Sequence, residues 1–135
     1  MMITETKIRV RYGETDQMGV VYHGNFALYF EEARTDALRQ IGVSYKTMEQ
    51  NGVVMPVVNL VMNYKQPAKY DEVLTIKTIM KELPSVKIIL EYEVFNEHEE
   101  LLVTGSSILV FINRTLGKPI RCPKELYLKF AEFFK

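Results

Sequence analysis

The chain has 135 residues, 47% hydrophobic and 25% charged, and its 17 basic side chains balance 17 acidic ones. It therefore reads as one globular domain spanning residues 1–135, with no basic excess for a nucleic-acid backbone. The lone cysteine, Cys122, excludes an internal disulfide and fits a reducing compartment. There is no signal-peptide pattern and no apolar run near the ~20 residues of a membrane span, so a cytoplasmic location is expected.

Residues 4 to 12 alternate strictly. Ile8, Val10 and Tyr12 fall on one face and Lys7, Arg9 and Arg11 on the other, as in a half-buried strand. The stretch YGETDQMGVVYHGNF (12 to 26) follows, crowded with two acids, the first histidine and flexible glycines. Next, Phe26, Phe30, Ala33, Ala37 and Ile41 recur at helical spacing, and Leu38 widens the stripe. This is the longest helix of the chain, with Asn25 expected at its N-cap and Gly42 at its C-cap. SYKTMEQ (44 to 50) predicts a short second helix capped by Ser44. Four strands are expected at about 53 to 65, 72 to 82, 85 to 96 and 101 to 113. NEHEE (96 to 100) forms a hairpin loop between the last two. Pro123 suits the first position of a terminal helix, with Leu126, Phe130 and Phe133 as its apolar stripe.

Short connections between successive strands imply antiparallel neighbours. The fold class is therefore α+β, with one main helix covering one sheet. VVMPVVNLVMNY is apolar at nearly every position yet contains Pro56, which lacks an N–H and belongs at a sheet edge or a bulge. A long apolar edge left bare invites aggregation. A tail or loop of the same chain could cover it. A second copy pairing along it is the simpler remedy.

Several chemistries are poorly served. Two histidines, His23 and His98, and one cysteine lie far apart in sequence and make a poor zinc set. His98 sits in an acidic loop. TGSSI (104 to 108) falls within a strand and only superficially resembles a serine-nucleophile elbow. No glycine-rich nucleotide motif is present. Cys122 is a nucleophile only if folding brings His23 beside it; otherwise it is a small packed residue ahead of a helix.

The crowded stretch remains. Gly19 and Gly24 bracket VVYH, and each permits close approach of a ligand or of backbone. The chain then enters the long helix, whose first N–H groups are unpaired and carry positive dipole. Asp16 near such an end could hold a water, and the helix end could stabilise an oxyanion. On this chemistry alone Asp16 reads equally well as a turn-former.

The pattern Y-G-E-T-D-Q-M-G-V-V-Y-H-G-N-F, followed by Y-F-E-E-A-R, resembles the signature of hotdog-fold acyl-CoA thioesterases of the 4-hydroxybenzoyl-CoA thioesterase type. Asn63, Pro67, Ala68 and Asp71, and the late R-x-x-G-K-P from Arg114 to Pro119, agree by position. The resemblance implies a hotdog fold, one long helix wrapped by a five-stranded antiparallel sheet. It also implies a homodimer joined edge to edge or a dimer of dimers, with the active site at the interface. It assigns Asp16 as the catalytic carboxylate. It assigns the His23 backbone N–H as donor to the thioester oxygen, with the His23 side chain and Tyr12 lining the site. Tyr22, Gly24 and Asn25, around the same turn, are expected substrate contacts. Glu14 stands where that subgroup commonly has Asp, at a position expected to be without consequence for catalysis.

The implied reaction is hydrolysis of an acyl-CoA to a free acid and CoA, with no metal and no bound cofactor; coenzyme A enters only as part of the substrate. Lys65, Lys69 and Arg114, with Lys118 and Arg121, are the expected partners of its phosphates. Tyr29, Met62 and Tyr64 are candidate lining residues. Two alternatives remain: hydrolysis of thioesters on acyl carrier protein, and a non-catalytic acyl-binding protein of the same fold.

Overall fold

The computed structural model describes residues 1–135. The chain opens with strand β1 (Met2–Arg9), a 3-10 turn at Tyr12–Glu14, and helices α1 (Asn25–Gln40) and α2 (Tyr45–Gln50). Strands β2 (Val53–Val54), β3 (Val57–Tyr64), β4 (Val73–Met80), β5 (Lys87–Phe95), β6 (Leu101–Val110), β7 (Ile112–Asn113) and β8 (Lys118–Pro119) follow. Helix α3 (Lys124–Ala131) and a 3-10 turn at Glu132–Phe134 close the chain.

Five strands form one antiparallel sheet in the order β1-β4-β5-β6-β3. The period-2 patterns decide which face each strand buries. In β1, Met2, Thr4, Thr6 and Ile8 are buried while Ile3, Glu5, Lys7 and Arg9 are exposed. Helix α1 lies on the buried face, with Phe26, Tyr29, Phe30, Ala33, Ala37 and Leu38 turned into the core. Gly42, expected at the C-cap, lies one residue beyond it: Ile41 is the C-cap, and Gly42 follows in the left-handed region at φ 82°. The Gly42 N–H donates to Arg39 O at 2.9 Å and the Val43 N–H to Leu38 O at 2.8 Å, a pair of bonds that closes the last turn. This is the hotdog arrangement, a helix wrapped by an antiparallel sheet.

Register runs straight across the sheet through Thr4, Thr78, Tyr92, Gly105 and Met62. On this rung the Phe30 ring stacks on Tyr92, with centroids 4.3 Å apart and planes 6° from parallel. Gly105 makes room for it: a Cβ there would lie 2.5 Å from the Phe30 ring. The missing side chain thus sets how closely α1 approaches the sheet.

Four expectations are corrected. The first strand ends at Arg9 and its alternation at the buried Val10, so Tyr12 enters the 3-10 turn and is 77% exposed instead of facing the core. The expected strand 53 to 65 breaks at Met55–Pro56. The expected strand 101 to 113 breaks at the fully buried Phe111. The fragments beyond the breaks, β2 and β7, leave the main sheet and join β8 in a second one, β2-β7-β8. Pro123 caps α3 with ψ 138° and precedes its first helical residue, Lys124.

Strand β3 is an edge, paired only with β6. Val57, Val58, Leu60, Val61 and Tyr64 are each between 40% and 58% exposed in the single chain. The His23 turn meets this edge at Tyr64, and the valine and leucine side chains along it stay exposed. No helix is long and apolar enough to cross a membrane.

Candidate active site at the start of the long helix

After Val10 the chain leaves the sheet and folds the crowded stretch into a hairpin-like loop. Thr15 and Val21 form an antiparallel bridge. The Asp16 N–H donates to Val20 O at 2.9 Å, and the Gly19 N–H donates back to Asp16 O at 3.0 Å. Gly19 has φ 78°, a conformation that disfavours any side chain. Asp16 Oδ1 accepts the Met18 N–H at 2.8 Å, which orients the carboxylate at the loop tip. The carboxylate is exposed and makes no ion pair. Its remaining oxygen is free to take a proton or attack.

The far arm of this loop docks on the segment after β3. The Val21 N–H donates to Ala68 O at 2.8 Å, and Val20 bridges to Lys69. Lys69 is therefore carried to the loop, and Lys65 stands at the end of β3, its N–H bonded to Leu102 O. Arg114 is bonded through its N–H to Gly52 O, beyond the opposite end of β3. Seven strand steps at about 3.3 Å put roughly 23 Å between the two ends.

The helix start also differs from expectation. Gly24, not Asn25, is the N-cap, and no side chain caps the helix. Asn25 is the first helical residue, and its Nδ2 donates to Glu14 O at 2.8 Å. The N–H groups of Asn25, Phe26 and Ala27 are used on Tyr22 O, His23 O and Gly24 O, at 2.9, 3.3 and 3.3 Å. The N–H groups of His23 and Gly24 have no acceptor in the chain. Both residues are exposed, in the turn at the positive end of α1. Such donors fit an oxygen that gains negative charge during a reaction.

Aromatic rings hold this turn. Tyr64 Oη, from edge strand β3, donates to His23 O at 3.0 Å. The His23 ring lies 4.3 Å from Tyr22 and 6.2 Å from Tyr64, and Phe26 lies 5.9 Å from Tyr64. Tyr22 lies across Gly24, where a Cβ would meet its ring at 2.9 Å. Tyr12 packs edge-on against Tyr70 at 5.5 Å.

Glu14 accepts six hydrogen bonds at the near end of the loop. Its Oε1 accepts the Arg11 N–H at 2.8 Å and Tyr29 Oη at 2.9 Å. Its Oε2 accepts Arg11 Nη2 at 2.8 Å and Nε at 3.1 Å. Its backbone oxygen accepts the Tyr22 N–H at 3.0 Å as well as Asn25 Nδ2. Burial disfavours its charge, but the hydrogen bonds from Arg11 and Tyr29 outweigh this and hold the carboxyl below the usual range. Burial and the neighbouring Glu14 carboxylate push the Tyr29 hydroxyl well above its ordinary value. The sequence shows the acid pair Glu14 and Asp16; the bonds from Arg11 and Tyr29 set Glu14 apart in space.

Other candidates lie apart. Cys122 is half-buried, its N–H bonded to Ser85 O and its thiol pushed up to about 12 by burial. His98 sits in the β5–β6 hairpin with its N–H on Asn96 Oδ1. A separate cavity of about 280 Å³ lies beside α1, lined by Arg34, Thr35, Leu38, Tyr45, Met55 and Phe130 among others. It touches neither Asp16 nor His23.

The family model of the Thioesterase-like superfamily matches residues 10–130. The YneP protein of Bacillus subtilis is 35% identical over 124 residues, 92% of this chain and 90% of its own. The acyl-CoA thioesterase YbgC of Haemophilus influenzae is 30% identical over 125 residues, 91% of this chain and 90% of its own. The crystal structure of a DHNA-CoA thioesterase from Staphylococcus aureus matches with a TM-score of 0.93 at 39% identity, covering 99% of this chain and 92% of that one. YbgC and the Staphylococcus enzyme are, by name, thioester hydrolases. The chain belongs to the thioesterase-like superfamily.

Proposed function

We propose that this chain is one hotdog domain over residues 1–135 that hydrolyses acyl-CoA thioesters in the cytoplasm. The observation that carries the proposal is the pairing of an exposed carboxylate free of ion pairs, Asp16, with two acceptorless N–H groups, His23 and Gly24, on one loop–helix unit. Within the superfamily we assign it to the 4-hydroxybenzoyl-CoA thioesterase type. The likeness to the DHNA-CoA thioesterase, a relative named for another aryl thioester, supports that assignment.

The chemistry asks little of the protein. A thioester carbonyl is electrophilic, and its leaving thiol, of ordinary pKa about 8.5, departs as thiolate. In one route Asp16 takes a proton from water as the oxygen adds to the carbonyl carbon. The carbonyl electrons move onto oxygen, where the His23 and Gly24 N–H groups receive them. Collapse breaks the C–S bond, and the CoA thiolate recovers the proton. In the other route the Asp16 carboxylate adds to the carbonyl carbon and the C–S bond breaks, expelling CoA thiolate and leaving a mixed anhydride; water cleaves the anhydride to free the acid and restore Asp16, and one of its protons passes to the thiolate. No metal or resident cofactor takes part in either.

The working unit is a homodimer, or a dimer of dimers, joined along β3. The bare apolar edge supports this. An antiparallel twofold near Leu60 and Val61 would set the Tyr64 end of one strand beside the Val57 end of its mate. It would carry the partner's Arg114 towards Lys65 and Lys69 as a shared set of phosphate partners. It would also bring the cavity beside Met55 towards the partner's His23 turn, as room for the acyl group. Tyr22, Gly24, Asn25 and Tyr12 border the approach.

A panel of aryl, short-chain and long-chain acyl-CoAs, run beside the same acyl groups on acyl carrier protein, tests the reading. Faster hydrolysis of CoA thioesters is expected. Preference for carrier-protein thioesters would move the substrate class, and binding without turnover would make the chain an acyl-binding protein.

A further inference from the structure

We infer that Glu14 is a positioning residue, the node that ties the Asp16 loop and the turn presenting the His23 and Gly24 N–H groups to helix α1. The inference rests on the thioesterase reading for its kinetics, but its geometry stands alone.

Glu14 lies two residues before Asp16, at the near end of the acid loop. Its backbone oxygen accepts from Tyr22 and Asn25, the two residues flanking the donor pair His23 and Gly24. The donor turn is therefore hung on Glu14 from both sides. The same residue's carboxylate is held at the other end by Tyr29 Oη, one helical turn into α1, and by three donors of Arg11. Tyr29 is 2% exposed and packs edge-on to Phe26 at 5.4 Å, so it is a fixed anchor. The path from the rigid helix to the exposed loop thus runs Tyr29, Glu14, then both arms of the site. Asp16 has no link of its own to the donor turn among the hydrogen bonds of the chain: its bonds go to Met18, Gly19 and Val20. It reaches the donors through Val20 and Val21 along the far arm of the loop and through Glu14 on the near arm.

The suppressed pKa of Glu14 fits this part. A permanently charged acceptor keeps all four side-chain bonds across the working pH range. A carboxylate this committed is also a poor base, which separates its role from that of Asp16, two residues on.

The test uses the full chain with three variants. Glu14→Ala keeps the backbone oxygen and removes the side-chain anchor to Tyr29 and Arg11, and kcat is expected to fall on the order of 10²-fold with KM within about twofold, the cost of a small misplacement of reacting groups. Tyr29→Phe keeps the ring and its packing and removes only the anchor, with kcat expected to fall about tenfold. The double variant should be no slower than Glu14→Ala, because the two act through one bond. Glu14→Gln, whose oxygen still accepts from Tyr29 and the Arg11 N–H, should recover part of the loss. Amide resonances of His23 and Gly24 should shift in Tyr29→Phe, while those of Tyr92 and Val94 in β5 stay in place. A loss that enters KM instead of kcat, multiplicative losses in the double variant, or unmoved His23 and Gly24 resonances would each overturn the inference. If the wild-type chain hydrolyses no thioester, the thioesterase reading falls; the amide resonances then decide the positioning claim, shift supporting it and constancy overturning it.

Discussion

Replacing Gly105 by alanine probes the contact that fixes the distance between α1 and the sheet. The new Cβ would stand 2.5 and 2.9 Å from two Phe30 ring carbons and 2.7 Å from the Val61 carbonyl oxygen. Phe30 is fully buried and stacked on Tyr92, so its ring has no free direction of retreat. Val61 O belongs to the backbone of β3, which is paired with β6 along its length and cannot move alone. Alanine in a strand gains roughly 0.5–1 kcal/mol over glycine. Overpacking of a core costs typically about 1–3 kcal/mol, and two rigid neighbours put this site at the upper end. The net loss is then about 2 kcal/mol, which lowers Tm by roughly 8 °C at this chain length. Thermal melts followed by circular dichroism at one fixed protein concentration measure it, the concentration being held because any self-association makes Tm depend on it. Phe30→Leu should remove part of the penalty, so the two changes together should cost less than the sum of each alone. A Gly105→Ala protein with unchanged or raised Tm, or strict additivity with Phe30→Leu, would refute this account of the helix seat.

Leu60→Lys, at the middle of the exposed β3 edge, should convert the assembly to monomers on size-exclusion chromatography at micromolar concentration while the circular dichroism spectrum is kept; a wild-type chain that already elutes as a monomer would sink the interface argument. Glu14 adds a stability term with a defined sign in pH. Its folded pKa lies below its unfolded value of about 4.3. The term is therefore full above that value and lost as pH falls through the folded pKa. The stability gap between wild type and Glu14→Gln, from urea titrations, should stay constant above pH 5 and shrink below about 4.3; a gap that widens on acidification contradicts the assignment. Cys122, with its thiol raised to about 12, should resist a disulfide reagent at pH 8 in the folded chain and react at once in urea. Rapid reaction of the native protein would reopen it as a nucleophile.

Local periodicity carried far in this chain. Ile8 and Val10 are buried as alternation predicted, and so are Phe26, Phe30, Ala33 and Ala37 at helical spacing. Pro56 marked the edge strand correctly because its missing N–H is a local fact with a long-range meaning. The reading failed where a distant partner decides. Asn25 looks like a cap, but Glu14 O claims its side chain, and Gly24 takes the cap position. Tyr12 continues an alternating pattern after its strand has ended, because the chain turns there to form the Arg11–Glu14 clasp. The strand expected to run to residue 113 breaks where Phe111 enters the core, a choice made by packing and invisible to period-2 counting. In the site, the acid pair was legible but the division of labour was not. Glu14 and Asp16 differ in what lies beside them in space: Arg11 and Tyr29, the latter fifteen residues away, for one, and a loop tip open to solvent for the other.

The central claim is that Asp16 performs the chemistry on a thioester held at the start of α1. Its most direct test is the steady-state hydrolysis of the best acyl-CoA of the panel by Asp16→Asn, with the oligomer checked by size-exclusion chromatography. Asparagine keeps the size of the side chain and an oxygen for the Met18 N–H, so the loop and the assembly should survive. The account predicts that kcat falls by about 10²–10⁴-fold, the typical contribution of a positioned base. Turnover within twofold of wild type by an intact Asp16→Asn assembly would contradict it.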